Sequence, residues 1–305
     1  MRILIVGAGA TGGYFGGRLA QAGRDVTFLV RPGRAAQIRE NGLALISPHH
    51  GDATLHPTLI LANEITQPFD AVILAVKAYA LENTLADMRP AIGPNTMIVP
   101  LLNGMRHIDR LTAAFGETQV LGGVCVVATT IDAQNRIVQL APFHELTYGE
   151  RNGPATPRIH ALHEALSGAG FDSKTSTTIL QDMWEKWMLL ASAGALTCLL
   201  RGTVGDIEAV PNGADLALKF LKEVTDIATA SGFPPRDAFL QRARTTLTTK
   251  GSPFATSMYR DLQAGAPVEV EQIIADLLPR AAGFGIDVPR LEAAVAQLRI
   301  YNTRR

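Results

Sequence analysis

The first half of the chain alternates two hydrophobic patterns. Short apolar runs rich in β-branched residues occur at 3–6, 26–30, 71–75 and 97–100. Between several of them, at 11–22, 34–41 and 81–88, apolar residues recur at helical spacing. Unbroken apolar runs suit strands buried on both faces, and their alternation with helices predicts a parallel sheet covered by helices. Further strand-like segments follow at 120–130, 137–139 and 145–148. Beyond about residue 175 the periodicity is mostly helical and is broken by Gly and Pro, from Gly202 to Pro289. The expected fold class is α/β, with a sheet domain over 1–174 and an all-helical domain over 175–305. The largely apolar run 187–200 is shorter than the ~20 residues of a membrane span, so it predicts a buried helix.

Composition narrows this picture. The 305 residues exceed one comfortable core, which agrees with two domains. Basic and acidic residues number 28 each, so the formal charge is zero. That balance offers no broad cationic surface for nucleic acid or membrane, and an anionic substrate would need a local cation. Cys125 and Cys198 form no CxxC pair, no disulfide framework and no zinc spacing. A strand already at 3–6 leaves no room for a secretory leader. Together these features predict a reducing, cytoplasmic setting.

The first strand runs into G-x-G-x-x-G at Gly7, Gly9 and Gly12, and a helix follows at once. Strand, glycines and helix in that order mark a dinucleotide-binding loop. The first glycine allows the tight turn, the second lets backbone approach a pyrophosphate, and the third lets helix and strand pack closely. Gly7, Ala8, Gly9, Ala10, Thr11 and Gly12 are therefore cofactor-binding candidates. The second strand ends without the carboxylate that binds the ribose of NAD or FAD. Arg31 and Arg34 stand there instead, with Glu40 the next acid. Arginine suits a 2′-phosphate, so NADPH is the expected cofactor and Arg31 its candidate contact. A flavoprotein would need an acid where Arg31 sits.

Lys77 and Asn103-Gly104 each follow a predicted strand, where open α/β sheets bind their ligands. Lys186 lies in a helical stretch, with Met183 three residues before it and Leu190 four after. A lysine beside apolar neighbours either extends its amine to solvent or points into a cleft, and partial desolvation would make it a readier proton donor. Ketone reduction needs such a donor, because the developing alkoxide must be protonated. Glu269 follows Gly265-Ala266-Pro267, in the first turn of an expected helix. Ser257 and Asp261 share helical i, i+4 spacing. His160 and His163 could share a face, but no H-E-x-x-H pattern occurs and no metal is expected.

The glycine loop, V-K-A at 76–78, N-G-M at 103–105, W-E-K at 184–186 and S-M-x-x-D at 257–261 with the later Glu269 resemble the ketopantoate reductase family. The motifs keep their order from residue 3 to about 290. The resemblance implies a Rossmann domain, then an all-helical domain, with the active site in the cleft between them. It implies reduction of a small 2-oxo acid, ketopantoate, by NADPH. Lys186 would be the general acid, and Asn103 would touch nicotinamide and substrate. Lys77 would lie on the cofactor side, Glu269 and Ser257 near cofactor and substrate, and Ala128 where backbone passes the cofactor. A homodimer is compatible with the apolar helical half. Three positions depart from the family pattern: Leu190, Gly194 and Phe254 stand where it often carries asparagine. A pocket without those amides is more apolar and discriminates less against a substrate lacking a hydroxyl. Two other classes remain open: a reductase of another 2-oxo acid, and a non-catalytic NADPH-binding redox sensor, which would need no proton donor.

Overall fold

A computed structural model describes residues 1–305. The chain forms two compact units, one of residues 1–102 and 107–180, the other of residues 103–106 and 181–305.

The first unit is built on five parallel strands in the order β5-β2-β1-β6-β7. They are β1 (Ile3–Val6), β2 (Val26–Leu29), β5 (Thr58–Ile60), β6 (Ala71–Leu74) and β7 (Met97–Pro100). Residues of β1, β6 and β7 are buried throughout, as their unbroken apolar runs require. A second sheet, β10-β9-β3-β4 with β8 paired to β9, uses β3 (Leu43–Ile46), β4 (Ala53–Leu55), β8 (Gly122–Ile131), β9 (Ile137–Gly149) and β10 (Asp172–Thr175).

Helix α1 (Ala10–Gln21) lies between the two sheets. Its buried Gly16 faces Phe28 and Ile5 of the parallel sheet, while Gly13 and Gly17 face Ile137 and Leu45 of the second. Four buried glycines weaken a helix intrinsically, yet here they bring backbone against both sheets. Helices α2 (Pro32–Asn41), α3 (Leu81–Met88), α4 (Arg106–Phe115) and α5 (Pro157–Leu166) complete this half of the chain.

The segments 137–139 and 145–148, read separately from sequence, are one strand. Val127 pairs with His144 and Thr129 with Gln139, so residues 140–143 bulge opposite Ala128. Pro142, which has no N–H to donate, falls in that unpaired stretch.

The second unit is helical, apart from its 103–106 segment. Its axis is α6 (Ile179–Leu200), which includes the predicted buried run. Trp187, Met188, Ala191, Ala193, Leu196 and Cys198 are all nearly inaccessible. Around it lie α7 (Val204–Glu208), α8 (Gly213–Ala230), α9 (Asp237–Thr248), α10 (Ser257–Gln263), α11 (Leu277–Phe284) and α12 (Pro289–Thr303). The N-terminus of α12 has no side-chain cap of its own. Glu223, buried on α8, accepts from the backbone N–H groups of Arg290 and Leu291 at 3.2 and 3.0 Å, and from the Arg290 guanidinium at 2.7 Å. No helix is long and apolar enough to cross a membrane.

Candidate active site

In the first unit the carboxyl ends of β2, β1 and β6 lie side by side, with Val6 in register with both Leu29 and Leu74. They deliver Arg31, the glycine loop and Lys77 to one edge of the sheet. Gly7 has φ +104, and a Cβ there would meet the Ala75 carbonyl oxygen at 2.9 Å. At Gly12 a Cβ would stand 2.1 Å from the Gly7 carbonyl oxygen. Gly9, the N-cap of α1, has nothing within 4 Å of its Cβ direction. The two outer glycines are thus closed off by protein, while the middle one faces open space. That arrangement fits a dinucleotide's pyrophosphate, which needs bare backbone and the positive end of a helix.

The two candidate arginines behave differently. Arg31 is exposed at the N-cap of α2, ahead of Pro32. Arg34, in the first turn, is half-buried and donates from Nε to the Ala8 carbonyl oxygen at 3.2 Å, inside the glycine loop. Its Nη1 donates to Gln37 and, at 3.4 Å, to the Asn135 carbonyl oxygen. Burial lowers its pKa, and its buried Nη2 has no hydrogen-bond partner. A desolvated guanidinium without a carboxylate is costly, and an anion bound nearby would offset that cost. Lys77 is exposed at the start of a short 3-10 turn, and Ala128 lies half-buried in β8 at its bulge against β9.

The other candidates, Asn103, Lys186, Ser257 and Glu269, belong to the second unit. Lys186 is half-buried on α6, between residues that are firmly held. Trp184 stacks on Phe233 with ring centroids 5.2 Å apart, and the Arg280 guanidinium lies 5.6 and 5.5 Å from the rings of Trp184 and Trp187. Glu185 is buried and accepts from Arg236 Nε at 2.8 Å, from its Nη2 at 2.6 Å and from its backbone N–H at 2.9 Å. Burial pushes the Glu185 pKa up, but these bonds outweigh it and hold the carboxyl below its ordinary range.

The helix expected to begin around Glu269 does so, at Val270, with the Glu269 carbonyl oxygen accepting from Ile273 N–H at 3.1 Å, but its first turns are irregular. Residues 266–269 are irregular, and the chain enters a π-turn at Glu271–Ala275 before α11. Pro267 has no N–H to give, and the Asn302 side chain pairs with both backbone groups of Val268, at 3.1 and 3.0 Å. These bonds hold the segment outside the helix. Glu269 itself is 8% exposed. The π-turn receives two contacts from elsewhere in the unit. The Trp187 indole donates to the Ile273 carbonyl oxygen at 2.8 Å. Gly104, at φ +81, lies so close that a Cβ would stand 2.2 Å from the Gln272 carbonyl oxygen. Asn103 is the residue before Gly104 and Lys186 the residue before Trp187, so one π-turn gathers the neighbours of Asn103, Lys186 and Glu269. Glu185, Arg236 and the π-turn were not singled out from sequence. π-turns concentrate at functional sites.

Ser257 is the first residue of α10, which is capped by the Thr256 hydroxyl accepting from Tyr259 N–H at 3.3 Å. The adjoining Met258 packs on α6 at Gly194, where a Cβ would meet its Cε at 2.7 Å. That contact lies two helical turns, about 12 Å, along α6 from Lys186.

A G-x-G-x-x-G loop on a parallel sheet and a lysine-bearing helix in a separate helical unit are features of dinucleotide-dependent oxidoreductases. Two family models match, ketopantoate reductase PanE/ApbA over residues 3–153 and its C-terminal counterpart over residues 178–302, and the chain belongs to this family of oxidoreductases. It is 37% identical over 305 residues, all of both chains, to the uncharacterized oxidoreductase YkpB of Bacillus subtilis (strain 168). It is 27% identical to a 2-dehydropantoate 2-reductase of Nostoc sp., covering 98% of this chain and 95% of that one. The crystal structure of 2-dehydropantoate 2-reductase from Geobacter metallireducens GS-15 superposes with a TM-score of 0.87 at 30% identity, covering 98% of this chain and 99% of that one.

Proposed function

We propose that the chain reduces the 2-oxo group of ketopantoate to pantoate with NADPH, a step toward pantothenate and coenzyme A. The observation that supports the reading is the π-turn onto which Gly104 and Trp187 both pack, the residues that directly follow Asn103 and Lys186 in sequence. NADPH would supply hydride to the carbonyl carbon. The Lys186 ammonium gives a proton to the oxygen as it becomes an alkoxide, and the Asn103 amide donates a hydrogen bond to the same oxygen. The Ser257 hydroxyl binds the substrate, while Glu269 orients the cofactor and the reacting groups. On the cofactor side, the backbone of residues 7–12, with Lys77 and the strand at Ala128, holds the dinucleotide. Arg31 and Arg34, with no acid beside them, favour the 2′-phosphate of NADPH.

One observation supports a second reading, reduction of a different 2-oxo acid. Beyond Lys186, α6 presents half-buried Leu190 and then Gly194, whose side-chain space is taken by the Met258 methyl, and Phe254 is also half-buried. Such a surface offers no amide to a substrate hydroxyl. The test is NADPH oxidation at 340 nm with ketopantoate, pyruvate and 2-oxoisovalerate. The highest kcat/KM on ketopantoate supports the first reading. A higher value on a 2-oxo acid without the primary hydroxyl supports the second. No turnover with any of them removes the first reading.

A further inference from the structure

At the far end of α6 lies a cavity of about 480 Å³ lined by Arg201, Gln297, Ile300, Tyr301, Arg304 and Arg305. Three of its six lining residues are arginines, and no lining side chain is a carboxylate. Elsewhere in the chain arginines are commonly matched to acids, as in Arg158–Glu150, Arg236–Glu185, Arg290–Glu223 and Arg299–Glu271. Here the Arg201 guanidinium lies 5.9 Å from the centre of the Tyr301 ring, and Arg305 Nε donates to the Gly265 carbonyl oxygen at 2.7 Å. The Tyr301 hydroxyl donates to the Ala266 carbonyl oxygen at 2.9 Å, which fixes the ring as a wall. The Gln297 Oε1 is buried and has no hydrogen-bond partner.

The backbone supplies an independent sign. Arg201 follows the last residue of α6 with φ +58, a left-handed conformation that glycine normally fills after a helix. A glycine, Gly202, is the very next residue. Strain retained at a side chain that faces a cavity points to a use for that side chain.

We propose that this cavity binds a small phosphorylated molecule with an apolar or ring portion, of the mononucleotide class. Guanidinium groups pair with phosphate oxygens through two parallel hydrogen bonds and also stack on flat rings. The volume falls in the range of small-molecule sites. It exceeds what a bare phosphate fills, and Ile300 and Tyr301 supply an apolar wall that a bare phosphate would not use. The site is distinct from the proposed reaction centre, since 15 residues of helix separate Lys186 from Arg201, about 22 Å.

The experiment is calorimetric titration of the full chain saturated with NADPH, so that the glycine loop is occupied, using AMP, inorganic pyrophosphate and adenosine as probes. AMP and pyrophosphate should bind and adenosine should not. Arg201→Gly and Arg304→Gln should each weaken AMP at least tenfold, with NADPH affinity and turnover unchanged. Arg201→Gly should also leave Tm equal or higher, because glycine relieves the left-handed strain, whereas a purely structural arginine would lower it on removal. Absence of binding to the saturated protein overturns the proposal, as does AMP affinity that both variants leave untouched. Should NADPH itself not bind, the cofactor assignment fails, but the loss of AMP affinity in Arg201→Gly still reports on this cavity.

Discussion

Two glycines with positive φ mark the two ends of the proposed chemistry, and they are held in different ways. Gly7, at φ +104, is confined by the Ala75 carbonyl at the end of the neighbouring parallel strand. Gly104, at φ +81, is confined by the π-turn residue Gln272, far away in sequence. The cofactor end therefore rests on strand register, which repeated backbone hydrogen bonds enforce. The reacting end rests on a few tertiary contacts around one irregular turn. Changes at the first should therefore show in cofactor affinity, and changes at the second in turnover of the oxo acid.

The largest expected effect lies at the reacting end. In Lys186→Ala, kcat should fall by about 10²- to 10⁴-fold, the usual value of a positioned proton donor. NADPH affinity, measured by fluorescence titration, should be retained. Near-normal turnover would remove Lys186 from the mechanism.

Next come paired glycine substitutions. An added Cβ meets a backbone oxygen at 2.1 Å in Gly12→Ala and at 2.2 Å in Gly104→Ala, so neither contact can give way cheaply. Strain of about 1–3 kcal/mol is expected in each, or roughly 10- to 100-fold in whatever function the segment serves. Gly12→Ala should lose mainly NADPH affinity, and Gly104→Ala mainly kcat/KM for the oxo acid. Equal losses of NADPH affinity in the two variants would break the contrast between the ends.

The same contrast explains what was legible in the sequence. The glycine loop is local, and its strand-turn-helix order is written in consecutive residues. The four long-range parallel strands β1, β2, β6 and β7 appear as apolar runs within a residue of their observed ends. By contrast, β3, β4 and β5 are three or four residues each and carry too little pattern to stand out. The reacting end is written nonlocally. No feature near Gly104 signals Gln272, nothing around Glu185 signals Arg236, and a π-turn has no sequence signature of its own. Arg34 is an intermediate case. The sequence placed two arginines beside the loop, but helix geometry distinguishes them. Side chains lean toward a helix N-terminus, so an arginine in the first turn of α2 reaches back to Ala8.

That reach makes the third prediction. A charge-assisted hydrogen bond is worth about 1.5–3 kcal/mol, so Arg34→Gln should raise the Kd for NADPH by about tenfold or more. The Kd for NADH, which lacks the 2′-phosphate, should change little. A parallel loss for both cofactors would make Arg34 a brace of the loop and leave phosphate selection to Arg31.

The smallest effect probes how firmly the two sheets of the first unit are joined across α1. His144 is buried on β9, with its Nδ1 2.7 Å from the Tyr14 hydroxyl of α1 and its ring stacked on His50 at a centroid distance of 3.6 Å. Burial lowers its pKa, the neighbouring His50 and Arg18 add to the shift, and Asp172 opposes it. The folded chain therefore takes up this proton at a lower pH than the unfolded chain, whose histidine titrates near about 6.5. Between those two pH values the unfolded state binds more protons, so stability falls as pH drops below the unfolded value. One proton limits the slope to about 1.4 kcal/mol per pH unit. In His144→Gln that slope should flatten when Tm is followed from pH 7.5 to pH 5. An unchanged slope would mean that the acid sensitivity of this unit lies elsewhere, and that the contact between α1 and β9 is insensitive to charge.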